Sequence, residues 1–185
     1  MAAPAVDIRR WTREEYERLV EEGFFRPDER VELVDGVIYE MSPQSVRHAV
    51  AVRLARQLLG RIFSDGFDIL VQMPMALGDD GEPEPDVAVV PGDPRDHLTS
   101  HPQAAILVLE VAETSLQHDR ERKASLYVRA GIPDYWILML SSRQLEVLRD
   151  PVNGAYRSRA LLKATDQVAP LGRLEAVIPV ADLLP

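Results

Sequence analysis

Ile106-Leu107-Val108-Leu109-Glu110-Val111-Ala112 is an apolar run interrupted by one carboxylate. Its length and β-branched content predict a strand covered on both faces of a sheet. A lone carboxylate there must be paired, protonated or bound to a metal; a salt bridge to a buried arginine is one such solution. Upstream, Glu84-Pro85-Asp86-Val87-Ala88-Val89-Val90 reads as a loop feeding a neighbouring strand, with Asp86 at its entrance. Pro-Asp is also a common turn pair. Downstream, a helix runs from about Asp119 to Ala130 and is closed by Gly131 and Pro133. At 100° per residue, Asp119, Lys123, Leu126, Tyr127 and Ala130 share one side of it, while Arg122, Ser125 and Arg129 fall on another. Lys123 therefore lies on the stripe that packs inward, where a charge needs a partner. An i,i+4 pair with Asp119 at the surface is the alternative. Only two of the 21 basic residues are lysines, so Lys123 stands out in a chain that otherwise uses arginine.

The remaining elements arrange themselves around this core. Thr12 and Glu15 form a capping box opening a helix to about Glu22. Arg30–Val34, the Asp35-Gly36 pair and Val37–Met41 predict a hairpin. Ser45 to about Phe63 predicts an amphipathic helix with Val50, Leu54, Leu58 and Ile62 on one stripe and Arg53 and Arg56 opposite. Ile69–Leu77 reads as a strand before the turn Gly78-Asp79-Asp80-Gly81. Tyr135–Leu140, Gln144–Arg149 and Tyr156–Leu162 read as a run of strands, with a short terminal element at Val177–Leu183. The order α-ββ-α-βββ-α-βββ predicts an α/β fold in which helices flank a central mixed sheet. With no repeat or linker, residues 1–185 are expected to form one domain, its core at about 11–140 and a strand extension at about 141–185.

Composition narrows the functional classes. An apolar content of 46% with 28% charged residues is that of an ordinary globular protein. No apolar run is long enough to span a bilayer, and the first residues lack a secretion signal. The absence of cysteine removes disulfides and thiolate metal sites. A cytoplasmic protein with no membrane association is expected. The net charge of −9 argues against gripping nucleic acid by bulk electrostatics. Charge is unevenly spread, however: residues 45–63 carry Arg47, Arg53, Arg56 and Arg61 without an acid, and 118–130 carry Arg120, Arg122, Lys123 and Arg129 against two acids.

Two acids at the ends of neighbouring strands and one lysine suit Mg²⁺-dependent phosphodiester chemistry. Carboxylates supply the oxygen ligands a hard cation requires, and a lysine adds a compact charge beside the attacking water. The sequence resembles the PD-(D/E)XK nuclease superfamily and, within it, the Uma-type restriction endonuclease family. The likeness is carried by Trp11-Thr12-Arg13-Glu14-Glu15-Tyr16, Glu32-Leu33-Val34-Asp35-Gly36, Met41-Ser42-Pro43, His48, Pro85-Asp86-Val87, Glu110-Val111, Asp119-Arg120 with Lys123, Tyr127, and Gly131-Ile132-Pro133-Asp134-Tyr135-Trp136. Two residues after Glu110, where the superfamily places its lysine, stands Ala112; Uma-type members are similar in moving that lysine to the following helix, which nominates Lys123.

The resemblance implies a restriction-endonuclease-like fold and a DNA endonuclease. Asp86, Glu110 and the carbonyl of Val111 would hold Mg²⁺ or Mn²⁺, Lys123 would orient the water, and Glu32 would complete or bridge the metal shell. Residue chemistry alone favours reading Glu32 as the polar side of a half-exposed hairpin; the resemblance is what promotes it. His48, on an apolar helix flank, is equally a satisfied core residue; the resemblance makes it a substrate-contacting or supporting group. A homodimer is expected, because cutting both DNA strands takes two active sites. A catalytically inactive nuclease-fold module that binds DNA or a protein is the alternative, and its mark would be loss of an acid or the lysine. His97 and His101 are four apart, but Pro102 and a loop context argue against zinc ligation. Tyr135 and Trp136 are expected to anchor the core.

Overall fold

The computed structural model describes residues 8–185. Six strands form a mixed sheet in the order β3-β4-β5-β6-β7-β8: β3 Phe67–Leu70, β4 Val87–Pro91, β5 Leu107–Ala112, β6 Asp134–Met139, β7 Gln144–Val152 and β8 Ala155–Lys163. All neighbours are antiparallel except β5 and β6. A parallel pair needs a crossover, supplied by a helical stretch of α3 (Leu116–His118), a π-helical segment (Asp119–Lys123) and α4 (Ala124–Arg129). Gly131, at φ +73°, ends it, and Ile132 N–H returns to Tyr127 O at 3.0 Å.

Side chains alternate across this sheet, and both of its faces are covered. Leu107, Leu109 and Val111 of β5 join Trp136 and Leu138 of β6 on one face, beneath Ala51, Val52, Ala55 and Leu59 of α2 (Val46–Ile62). Val108 and Ala112 join Tyr135, Ile137 and Met139 on the other, against Leu126 and Tyr127 of α4. Glu110 projects toward this second face by the same alternation. Tyr135 and Trp136 are fully buried, as expected of core anchors. Truncating the buried Leu109 to Ala is expected to cost about 3 kcal/mol through lost burial and the cavity left behind. Urea denaturation would register this as a lower midpoint at unchanged m-value.

The N-terminal part forms a cap beside the sheet. Helix α1 (Arg13–Glu21) starts with the Thr12–Glu15 capping box, and β1 (Val31–Val34) pairs with β2 (Val37–Glu40) around Asp35-Gly36. Both turn residues take positive φ, and a Cβ on Gly36 would sit 2.6 Å from the Arg10 Cβ. Glycine is thus required for conformation and space. Leu33 of β1 bridges to Glu82, which ties the hairpin to the strap that leads into β4.

Three predicted elements differ in detail. The expected strand Ile69–Leu77 ends at Leu70, and the following residues form an irregular strap, buried at Met75, Ala76 and Leu77, whose bonds run to Pro83, Gly81 and Pro102. The inward face of α2 centres on Ala51, Val52, Ala55 and Leu59, about one position beyond the predicted stripe; Leu54, Leu58 and Ile62 are half-buried at its margin, and Arg53 and Arg56 are exposed. Small alanines let α2 approach the sheet closely, which counting large apolar residues overlooks. The crossover helix begins at Leu116 and is π-helical from Asp119 through Lys123, so it departs there from the 100° repeat.

Candidate active site

Asp86 immediately precedes β4, whose Val87 stands opposite Leu109 of β5. One step further along the ladder, Asp86 and Glu110 emerge side by side: Asp86 N–H points to Glu110 Oε2 at 3.4 Å, and Val111 N–H donates to Asp86 Oδ2 at 2.8 Å. Lys123 reaches this pair from the crossover helix. Its Nζ lies 3.1 Å from Glu110 Oε1 and 3.0 Å from Glu32 Oε2. Glu32 belongs to β1, whose four residues are all buried, so it is not the polar side of an exposed hairpin. Its Oε2 also accepts Glu84 N–H at 3.1 Å. Lys123 pairs with these two carboxylates and not with Asp119, whose Oδ2 accepts Ser115 Oγ at 2.6 Å.

His48, from the first turn of α2, places Nε2 3.1 Å from Asp86 Oδ2. The structure thus gathers Glu32, His48, Asp86, Glu110, Val111 and Lys123 around one cleft of about 290 Å³. His97 and His101 do not line it.

Three contributors were not among the sequence candidates for the site. Tyr127 donates to Glu110 Oε1 at 2.6 Å, so that oxygen is shared by a phenol and an ammonium while Oε2 faces Asp86. Gln72 donates from Nε2 to Asp86 Oδ1 at 3.0 Å while its backbone N–H bonds Pro85 O. Its φ of +53° is unusual for a residue other than glycine. Reading 69–77 as regular strand hid this. His118 lies 3.7 Å from Glu32 Oε1 and packs edge-on against Tyr39.

Electrostatics divide the acids. Burial raises the Glu110 carboxyl, and Asp86, Asp119 and Glu32 add to that; Lys123 offsets only part, leaving it pushed up to about 8. Burial also opposes ionisation of Glu32, yet Lys123, His118 and the Glu84 amide hold it down to about 2. Asp86 is lowered despite its burial by His48, Gln72 and the Val111 amide. Burial disfavours the Lys123 ammonium, but Glu110, Glu32, Asp119 and Asp86 outweigh that and raise it. Burial likewise opposes a charged His48, but Asp86 raises it on balance.

The donor set fits a hard divalent cation: oxygen ligands and crowded, buried negative charge that Lys123 offsets only in part. Among the described residues no three acidic or imidazole groups converge as a ready-made chelate. Mg²⁺ commonly takes only one or two carboxylates and completes its shell with waters and substrate phosphate, so the Asp86–Glu110 pair is sufficient.

A mixed sheet whose strand ends present two acids to a lysine from the crossover defines a restriction-endonuclease-like fold. The chain belongs to the Uma2 family, described as "Putative restriction endonuclease", whose model matches residues 13–181. That match extends through β7 and β8, past the stretch that carried the resemblance. Among solved structures, a protein from Anabaena variabilis described as "a putative nuclease belonging to DUF820" shares 11% identity and a TM-score of 0.75. The likeness covers 93% of this chain and 96% of that one. At that identity the likeness concerns the fold. No curated protein matches the chain.

Proposed function

We propose that the chain is a metal-dependent DNA endonuclease. The observation that carries this reading is the Lys123 ammonium set between Glu32 and Glu110, with Asp86 adjacent and the group lining an open cleft. A bound Mg²⁺ or Mn²⁺ would polarise the scissile phosphate and acidify its water. Asp86 and Glu110 Oε2, with the Val111 carbonyl, would hold it. Lys123 orients the attacking water and stabilises charge developing on the phosphate. Glu32 anchors the lysine through Oε2, which also accepts the Glu84 amide. His48 and Gln72 fix the Asp86 carboxylate from either side. The reading includes a cytoplasmic homodimer that presents one site to each DNA strand. Among the described residues no helix is long and apolar enough to cross a membrane.

The test is incubation of supercoiled plasmid with the protein in Mg²⁺ or Mn²⁺. Nicked and linear products are expected with either ion and none in EDTA. Intact plasmid under every metal condition would instead favour the non-catalytic DNA- or protein-binding module.

A further inference from the structure

The sheet register sets a second charged cluster in line with the first. Glu110 stands opposite Ile137, Ile137 opposite Glu146 of β7, and Glu146 opposite Leu161 of β8. Cross-strand partners project to the same face, so Glu110 and Glu146 leave one face two strands apart, about 10 Å by the usual strand spacing. The crossover helix spans both: Lys123 turns to Glu110, while Arg120 turns to Glu146 with Nε 2.7 Å from Oε2. Arg159 of β8 sets its Nε against Oε1.

Glu146 is wholly buried, yet its two partners reach solvent, with side chains 34% and 60% exposed. Each arginine meets the carboxylate through Nε, which leaves its terminal nitrogens unpaired with Glu146. Arg120 Nη2 finds only the weak acceptor Met139 Sδ at 3.4 Å, and those of Arg159 donate to nothing among the described residues. Both guanidinium groups border a hollow of about 300 Å³ with Ser125 and Tyr156 on its walls. Glu121 also lines it and accepts Gln117 Nε2 at 3.3 Å, leaving one acid on the rim beside the two arginines. Two planar forks held by one buried carboxylate, with donors to spare, match the bidentate recognition of phosphate.

We infer that Arg120 and Arg159, oriented by Glu146, bind a backbone phosphate of the DNA strand engaged at the Asp86–Glu110 cleft. The location of that strand rests on the nuclease reading above; the phosphate contact itself does not require cleavage. The contact positions the duplex and carries no sequence information.

Fluorescence anisotropy with a labelled DNA duplex in EDTA measures binding without cutting. Arg159→Gln keeps Arg120 on Glu146 and so preserves the fold. It is expected to weaken binding about fivefold to tenfold and to reduce the slope of log affinity against log salt by about one. Arg159→Lys should retain the slope and lose part of the affinity, and Arg143→Gln, an exposed control, should change neither. Unchanged affinity and slope for Arg159→Gln, or an equal loss for Arg143→Gln, would overturn the inference. So would stabilisation of wild type, but not Arg159→Gln, by millimolar inorganic phosphate with duplex affinity unaffected, since that describes a free-anion site. A protein that binds DNA through Arg159 but never cuts would refute the nuclease reading and leave this one standing.

Discussion

Lys123→Ala is expected to reduce plasmid cleavage at least about a hundredfold, the scale on which preorganised electrostatic groups act in a transition state. Lys123 is 5% exposed and bridges Glu32 and Glu110, so its position is set before substrate arrives. Lys123→Arg should rescue poorly, because a planar fork cannot act as a point charge in the same space. Removing one partner of a buried pair commonly costs about 3–5 kcal/mol, so circular dichroism must accompany the assay. Lys123→Met, which keeps the aliphatic stem, provides a second neutral variant. Cleavage at wild-type rate by a folded Lys123→Ala would remove the lysine from the mechanism.

The second large effect concerns the metal. Mg²⁺ at a hundredfold over its Kd should add about 2.7 kcal/mol, or roughly 5–10 °C in Tm for a chain of this size. Asp86→Asn should eliminate that shift. Its pH dependence follows from Glu110. A carboxyl pushed up to about 8 keeps in the folded state a proton that the unfolded chain releases near 4.5. Without metal, its contribution to stability is therefore present below pH 4.5 and is lost as pH rises through about 8. Metal competes with the same proton, so the Mg²⁺-induced shift should grow from pH 6.5 to 8.5. A shift that is flat over this range, or that survives Asp86→Asn, would move the cation elsewhere.

Local signals carried much of the fold. The Asp35-Gly36 hairpin, the Thr12–Glu15 box and the Gly131 stop each rest on neighbouring residues, and each lies where expected. Glu110 and Lys123 were legible because charge on an apolar stripe must find a partner. What remained hidden depends on residues far apart in sequence. Glu146 sits in an ordinary strand pattern, and only the register brings Arg120 and Arg159 to it. Gln72 looked like one more strand residue until its left-handed backbone turned the amide to Asp86. The π-helical segment has no composition of its own.

The tie between Glu32 and Lys123 joins the N-terminal hairpin to the crossover between β5 and β6. A ribosome releases those two segments well apart in time, and loop closure over so long a span gains nothing until the intervening sheet exists. A chain that ends before Lys123 holds no assembled centre. The halves of the candidate site that Glu32 and Lys123 contribute therefore meet only after the chain has passed Lys123 and the sheet between them has formed.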